Sequence, residues 1–402
     1  MRERESGDYL AVVRIPQWKY WAASTAGARL SVAMTPLALA LAGYYVSGGV
    51  LVAGVLMAAH TFGEVAGASA TGATMDRWSP RLGLAICLAA EAVLFGVLSA
   101  LVAGHAPVVP LVVVTTLIGA VPAGATGGLR SILSGIVDQR SMTRALAMDT
   151  AINQASWAIG PLVVGAAVLL ADAPMALALA GVPAAAGAVA ALGLTSRKRS
   201  SVVHGPGATT LLRLLARPLV LTVVWRMVFG VMTAAVVPLF RQAGAEHLAG
   251  LAPSLYAVGV AVGGALYSMR RIPSRPERHA DIAMAFLGGV LLLTPLLDSA
   301  VALVALYGVA GLLEGPVVLG RSLHIERILP RGRLSTGFSL QYTAINIGFG
   351  GAAASFGPLS EWLSPAAAVA CTGAAVALGG VLAVLTERPQ RNRTRDEQPV
   401  LV

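Results

Sequence analysis

The chain has 402 residues, of which 56% are hydrophobic and only 12% are charged. Soluble domains carry about twice that fraction of charged residues, so the composition excludes an ordinary soluble protein and predicts a polytopic membrane protein. The formal net charge is +10. The basic residues lie in short gaps between apolar runs, which marks them as determinants of membrane topology and not as a nucleic-acid surface.

A helix needs about 20 mostly apolar residues to cross a bilayer, and the chain contains twelve such runs. They are 18–43, 49–73, 82–104, 108–134, 146–171, 174–195, 218–240, 250–269, 281–298, 301–322, 336–358 and 365–386. The longest internal gap divides them into six plus six. We therefore expect an all-α integral membrane fold with two pseudo-symmetric six-helix bundles, at 1–195 and 218–386. A polar linker (196–217) joins them, and a polar tail (387–402) follows.

The distribution of basic residues supports this number of spans and sets the topology. Of the 29 Lys and Arg residues, 24 fall in gaps on one side, and the other side has only Arg241. The remaining four, within spans, are Arg29, Arg130, Arg226 and Arg321. Because cytoplasmic loops are enriched in Lys and Arg, the linker, the tail and both chain ends are predicted to be cytoplasmic.

Short motifs recur between the two bundles in the same order. The matched positions are Pro16 and Pro218, Arg130 and Arg321, Asn153 and Asn346, and Pro161 and Pro358. Each match is a common dipeptide or tripeptide, but all four occur at a nearly constant offset of about 200 residues. The pattern indicates a duplicated half, a plan that some transporters use to bind substrate between the halves near the midplane.

The break between the second and third spans resembles the signature loop of the major facilitator superfamily, G-x-x-x-D-R-x-G-R-R/K. The matching residues are Gly72, Asp76, Arg77 and Arg81. The resemblance covers the whole chain and implies that Asp76 and Arg77 form a charge cluster that steadies the outward-facing state. The residues alone also fit a solvated turn. Arg130 is interpreted as a gating residue near Asp76, with snorkelling to the interface as the alternative.

The fifth span contains Ser156, Gly160, Pro161 and Gly165, a spacing that resembles the antiporter motif of exporters in the same superfamily. Small residues four positions apart let helices approach closely, and Pro161 predicts a helix kink. The resemblance implies export and not uptake. A kinked helix–helix contact without any bearing on direction is the alternative.

Charged residues deep within spans are costly and usually face a cavity or a partner. Such residues are Arg29, Glu64, Arg226 and Glu314. The resemblance implies that spans one, four, seven and ten line the central cavity, which favours Arg29, Arg226 and Glu314 as cavity residues. Glu64 either pairs with Arg29 or carries a proton, since a carboxyl group in a dry site can bind and release one near neutral pH. Glu91 and His60 fit structural contacts better.

Polar and aromatic residues in the fifth, seventh and eleventh spans are candidates for contact with substrate, with packing as the alternative. They are Asn153, Trp157, Trp225, Phe229, Tyr342 and Asn346. No sequence pattern of an ATP-driven motor, a zinc enzyme or a metal site occurs, so we expect no catalytic residues, no metal and no cofactor. The expected partners are a small-molecule substrate, protons and the lipid bilayer, without nucleic acid, and the expected state is a monomer.

The leading hypothesis is a secondary active transporter that exports a small amphipathic or hydrophobic molecule, a drug or a secreted metabolite, in exchange for protons. A proton-coupled importer and a non-transporting receptor or scaffold are the alternatives. The basic residues include only two lysines, Lys19 and Lys198. Together with the high Ala and Gly content, this preference for Arg indicates a GC-rich bacterial genome, and hence a bacterial inner or plasma membrane.

Overall fold

A computed structural model describes residues 12–77, 80–137, 139–195, 208–269, 275–329 and 334–386. Thirteen α-helices lie within these ranges. They are α1 (Trp18–Ser47), α2 (Val50–Arg77), α3 (Pro80–Ala103), α4 (Val108–Ala120), α5 (Ala125–Ile136), α6 (Gln139–Leu170), α7 (Ala173–Leu192), α8 (Ala208–Gln242), α9 (Leu251–Met269), α10 (Pro276–Leu291), α11 (Ala300–Ile328), α12 (Leu334–Trp362) and α13 (Pro365–Leu385). Helices α4 and α5 together form the fourth span, so the predicted all-α architecture of twelve spans is confirmed.

The helices have the length and composition that a bilayer requires. Ten of those described are long and apolar enough to cross it, by length and composition alone. Helix α4 is apolar but shorter, because the fourth span is interrupted. Many large apolar side chains on these helices are exposed on the protein surface, which is the arrangement expected where the surroundings are lipid.

Three of the differences from the predicted boundaries lie at a break within a span, at a predicted turn and at the linker. The fourth span breaks at residues 121–124, where Pro122 lacks a backbone N–H and the Ala125 N–H bonds to the Pro122 carbonyl at 2.8 Å. Helix α2 continues to Arg77, so the predicted turn from Gly72 is helical up to that residue. Helix α8 begins at Ala208 and contains Pro218, so the last ten residues assigned to the linker are helical.

The same helix pairings occur in both halves. In the first half α2 packs on α4, α3 and α1 pack on α7, and α1 packs on α6. In the second half α9 packs on α11, α10 and α8 pack on α13, and α8 packs on α12. Each pairing of the first half thus has its counterpart in the second, which is the contact pattern that a duplicated six-helix unit produces.

The halves meet through α2 with α12 and through α6 with α9, and α1 also contacts α8. We call the side on which α1 begins and α13 ends the basic side, and the other side the opposite side. On the opposite side the two halves approach very closely. A Cβ on Gly165 would lie 3.0 Å from the Cα of Gly250, and one on Gly350 would lie 2.7 Å from Thr61 Cγ2. This part of the interface is therefore closed.

Candidate functional site

An ion pair within the membrane-spanning part of the first half joins α1 to α6. Arg29 Nη2 donates to both carboxylate oxygens of Asp149, at 2.7 and 2.8 Å. The Arg29 side chain is 18% exposed, whereas that of Asp149 is 7% exposed. Both residues lie about 15 Å along their helices from the basic side. The cation is thus the more open member of the pair, and the carboxylate lies behind it.

The second half contains a comparable pair between α8 and α11. Arg226 Nη1 donates to Glu314 Oε1 at 2.9 Å, and the side chains are 17% and 1% exposed. The guanidinium group also lies 4.7 Å from the ring centroid of Phe229 and 5.4 Å from that of Trp225. Arg226 follows Arg29 by 197 residues, an offset within the range of the repeated motifs. The two arginines therefore occupy equivalent positions in the duplicated halves.

Tyr342 on α12 lies in the space that these arginines face. Its side chain is 46% exposed. Its electrostatic neighbours are Glu64, Arg226 and Arg29, which come from both halves of the molecule. The exposed surface of Tyr342 therefore faces the region between the halves and not the lipid. Asn346 lies one turn further along α12 and is buried.

Glu64 on α2 belongs to the same region. It lies one turn from Thr61, which contacts Gly350 of α12 across the interface. Within the described ranges no ion pair or hydrogen bond of the Glu64 carboxyl is found, and Arg29 pairs with Asp149 instead. The suggested pairing of Arg29 with Glu64 is thus not what the structure shows, because Asp149 on α6 holds the guanidinium group.

Aromatic side chains separate the arginines from the opposite side. Trp157 of the first half meets Phe229 of the second half edge-on, with ring centroids 5.3 Å apart and an interplanar angle of 83°. Phe229 also contacts Tyr256 and Phe349, each at 5.5 Å. On both α6 and α8 the aromatic residue lies further from the basic side than the charged one. The cluster forms a floor between the charged residues and the closed part of the interface.

One face of α6 carries three residues of this region at helical spacing, Asp149, Asn153 and Trp157. Asn153 Nδ2 donates to Gln154 Oε1 at 3.3 Å, and both side chains are partly buried. Trp225, by contrast, is only 2% exposed and packs in the core behind Arg226. For Trp225 this conformation fits packing, which is the alternative to substrate contact.

The other buried charges lie elsewhere in the fold. Glu91 is buried between helices, where its Oε1 lies 2.8 Å from the Ser31 hydroxyl, which also contacts the Ala180 carbonyl at 2.9 Å. His60 is buried on α2. The helix-kink residues Gly160 and Pro161 lie within α6, which runs without interruption from Gln139 to Leu170. A Cβ on Gly160 would lie 2.9 Å from the Ala33 backbone, so this motif brings α6 against α1.

The predicted gating residues are only partly described. The surroundings of Gly72 and the side chains of Asp76, Arg77 and Arg130 lie outside what the structure describes. Arg81 is partly buried at the start of α3, and its Nε makes no hydrogen bond within the described ranges.

A charge cluster that the sequence analysis did not anticipate lies near the basic side of the second half. Arg321 Nη2 donates to Asp281 Oδ1 at 3.0 Å, and Arg217 Nη2 lies 3.8 Å from Asp281 Oδ2. The Arg217 guanidinium also donates to the Ala383 carbonyl at 2.6 Å. The cluster connects α8, α10, α11 and α13. Asp281 was overlooked because it stands at the predicted start of a span, where a charge is unremarkable.

Asp149 was missed for a similar reason. The predicted fifth span begins at residue 146, which places Asp149 at the membrane boundary, whereas α6 begins seven residues earlier, at Gln139. An acidic residue followed at four-residue intervals by Asn153 and Trp157 is the signal that could have revealed it.

A second cavity, of about 430 Å³, lies at the opposite side between the ends of α1, α8 and α12. Its lining includes Tyr44, Arg241, Ser360 and Glu361. The Arg241 guanidinium lies 5.2 Å from the Tyr44 ring centroid and pairs with Glu246 at 3.2 Å. This cavity is separated from the paired arginines by the aromatic floor and the glycine contacts.

Comparisons with known proteins agree with this architecture. The structure is similar to that of the nucleoside transporter NupG, with a TM-score of 0.73 and 12% identity over 91% of this chain and 99% of that one. It is also similar to the POT family transporter PepTSo (TM-score 0.70, 13% identity, 92% and 97% covered). The human organic anion transporter MFSD10 (TETRAN) follows at 0.66, with 16% identity and 92% and 99% covered.

These identities establish a shared fold and nothing about substrate. No curated protein sequence matches the chain significantly. The family model described as Major Facilitator Superfamily matches residues 21–317, which is more than half of the chain. The protein is thus a multi-pass membrane protein of the transporter class and not an enzyme, and it belongs to the Major Facilitator Superfamily.

Proposed function

We propose that this protein is a proton-coupled secondary active transporter that moves a small amphipathic molecule by alternating access. The observation that carries the proposal is the pair of equivalent arginines, Arg29 and Arg226, one in each half, facing one shared region. Ions buried in the membrane are retained where they serve a substrate or proton path. A receptor or scaffold on the same fold would have no need of two such pairs at matched positions.

Glu64 is the proposed proton carrier. It lies between the halves near Tyr342 and has no ion-pair partner within the described ranges. Asp149 and Glu314 each form an ion pair with an arginine, and protonation would break that pair, which makes them poorer candidates for a group that must bind and release a proton in every cycle. Protonation of Glu64 removes a charge from the half-to-half interface and so lowers the cost of moving the halves.

Export is the direction favoured by the sequence of α6, whose Ser156, Gly160, Pro161 and Gly165 resemble the antiporter motif. Import is the second candidate, and one observation favours it. The more open members of both ion pairs are cations. A negatively charged substrate bound there would attract a proton to Glu64, so that substrate and proton would move together.

The proposed orientation places the basic side in the cytoplasm of a bacterial cell, with the closed side facing out. The Lys and Arg residues between the spans on the basic side then satisfy the positive-inside rule. The short loops on the other side, which include Arg241, face the exterior. The gating role of Asp76 and Arg77 at the cytoplasmic end is part of the same proposal.

The decisive experiment is proton flux in proteoliposomes that contain a pH-sensitive dye. A panel of small amphipathic molecules is added outside under an imposed pH gradient, and the sign of the pH change reports antiport or symport. Glu64→Gln is expected to abolish gradient-driven transport while counterflow exchange of substrate continues. Glu361→Gln, which changes an exposed carboxyl in the second cavity, is the matched control and is expected to keep full coupling. Full gradient-driven transport in Glu64→Gln would rule out Glu64, and no flux with any panel member would favour the scaffold.

A further inference from the structure

We infer that the shared region between the halves binds an organic anion, a carboxylate or phosphate on an aromatic or aliphatic body, through Arg29 and Arg226. The inference deepens the proposed function and rests on it only for the statement that the bound molecule is the transported one. It concerns the charge of the substrate and holds for either direction of transport.

In each ion pair the arginine is the member that a ligand would meet first. The side chains of Arg29 and Arg226 are several-fold more open than that of Glu314, and Asp149 is also the less open member of its pair. The two carboxylates therefore lie behind the guanidinium groups, where they neutralise and orient them. A ligand in the region between the halves meets the cations first, at equivalent positions from the two halves.

The guanidinium group of Arg226 retains hydrogen-bond donors that its ion pair does not use. A guanidinium group has five N–H donors in a planar fork that matches carboxylate and phosphate oxygens. Within the described ranges Arg226 uses only Nη1, in its bond to Glu314. Contacts to Phe229 and Trp225 hold its plane without using any donor. Arg226 can therefore keep Glu314 and still bond to an anion through Nη2.

Aromatic side chains line the region that the two arginines face. Tyr342 is about half exposed, and Trp157 and Phe229 form the floor beneath the arginines. An apolar or aromatic body fits these walls, whereas its anionic group fits the arginines. Glu64 opposes an anion while it is charged. Once it holds a proton, the charged side chains that the described residues present to this region are those of Arg29 and Arg226, which are both positive. A cationic ligand would approach two guanidinium groups in either state.

The test is calorimetric binding to the purified full-length chain with four ligands that share one body. They are 1-naphthoate, 1-naphthyl phosphate, 1-naphthylmethylammonium and 1-naphthylmethanol. We expect at least one of the two anions to bind at least about tenfold more tightly than the cation and the alcohol, since a hydrogen bond to a charged group contributes enough for that preference. Comparison of the two anions distinguishes a carboxylate from a phosphate substrate.

The variants remove charge in pairs so that no buried ion is left alone. Arg226→Gln with Glu314→Gln, and Arg29→Gln with Asp149→Asn, are each expected to weaken anion binding about tenfold or more. Arg241→Gln with Glu246→Gln removes an exposed pair on the opposite side and is expected to leave binding unchanged. Size-exclusion profiles show which variants fold, and the ligand comparison on the unaltered protein tests the inference even if a variant does not.

Two outcomes would overturn the inference: equal or tighter binding of the cation or the alcohol, or no binding of either anion. Retention of the anion preference in both charge-pair variants would overturn the assignment to these arginines. Failure of the proposed function has a different signature. If anions bind through the arginines but no proton-driven flux occurs, the inferred anion site stands and proton coupling is ruled out. If a cation is transported by the proton gradient, the proposed transporter function stands and the inferred anion site is ruled out.

Discussion

The two halves of the molecule hold equivalent arginines but anchor them differently. Arg29 on α1 is held by Asp149 on α6, whereas Arg226 on α8 is held by Glu314 on α11. In terms of spans, the carboxylate comes from the fifth span in one half and from the tenth in the other. The position of the cation is thus shared, and the position of its counterion is not. A cation in a low-dielectric region requires a counterion, but any adjacent helix can supply it.

The basic side of the molecule provides a second contrast. In the second half Asp281 and Arg321 form a pair in which each side chain is about 5% exposed or less, and Arg217 adds a further cation. The first half has Asp76 and Arg77 at the end of α2. The second half supplies its acidic residue from within α10. The acidic residues near the basic side therefore come from different elements in the two halves.

The largest loss of stability is expected for the ion pair of Asp281 and Arg321, in which both side chains are almost fully buried. Asp281→Asn leaves Arg321 without its anionic partner, and breaking a buried ion pair costs about 3 kcal/mol or more in the free energy of unfolding. Glu277→Gln on the same helix is the control, since its partner His324 is at 3.4 Å and both side chains are about one fifth exposed. Thermal unfolding in detergent measures both. Equal losses of stability in the two variants would mean that burial does not decide how much these ion pairs contribute to the free energy of unfolding.

The next largest loss of stability allows a direct comparison of the ion pairs in the two halves. Glu314→Gln should lower the free energy of unfolding by about 3 kcal/mol, because Glu314 is nearly inaccessible and the Arg226 charge loses its counterion. Asp149→Asn should cost less, since Asp149 and Arg29 are both somewhat more open to water. Adding Arg226→Gln to Glu314→Gln should recover part of the loss. If the double variant is less stable than the single one, the pair is not the source of the cost.

Much of this fold follows from the sequence, but the pairing of its charges does not. Span number depends on apolar length, which the hydrocarbon thickness fixes, and topology depends on basic residues such as Arg217 that cannot enter the lipid. The break of the fourth span at Pro122 was not predicted, because it lies within a long apolar run that has the length of one uninterrupted span. Arg29 and Arg226 could be identified as buried cations. Glu314 could be identified as a buried charge as well. Which carboxylate pairs with each arginine could not be predicted, since Asp149 and Glu314 are distant from the arginines in sequence and only helix packing brings them near.

A smaller effect is expected at the aromatic contact that joins the halves. Trp157→Ala removes the edge-on contact with Phe229, and an aromatic pair contributes about 1 kcal/mol beyond its buried area. Because the contact crosses between the halves, its loss should favour the state that is open on the opposite side. Ser360→Cys, in the second cavity, should then react faster with a maleimide in a background in which Cys87 and Cys371 are replaced by Ser.

Trp362→Ala is the control for that measurement, because Trp362 is one of the most exposed residues of the chain and lies at the end of α12. An unchanged labelling rate at Ser360→Cys in Trp157→Ala would show that the aromatic contact does not hold the opposite side closed.

The smallest effect is expected at Asp76, near the end of α2. Asp76→Asn should shift the equilibrium between the two open states by about fivefold, at the lower end of conformational couplings, because Asp76 is proposed to steady the outward-facing state. Maleimide labelling of Ser360→Cys should slow, and labelling of Ser322→Cys near the basic side should accelerate. Asp76→Glu, which keeps the charge, should restore both rates. If both rates and transport match those of the unaltered protein, Asp76 does not steady the outward-facing state.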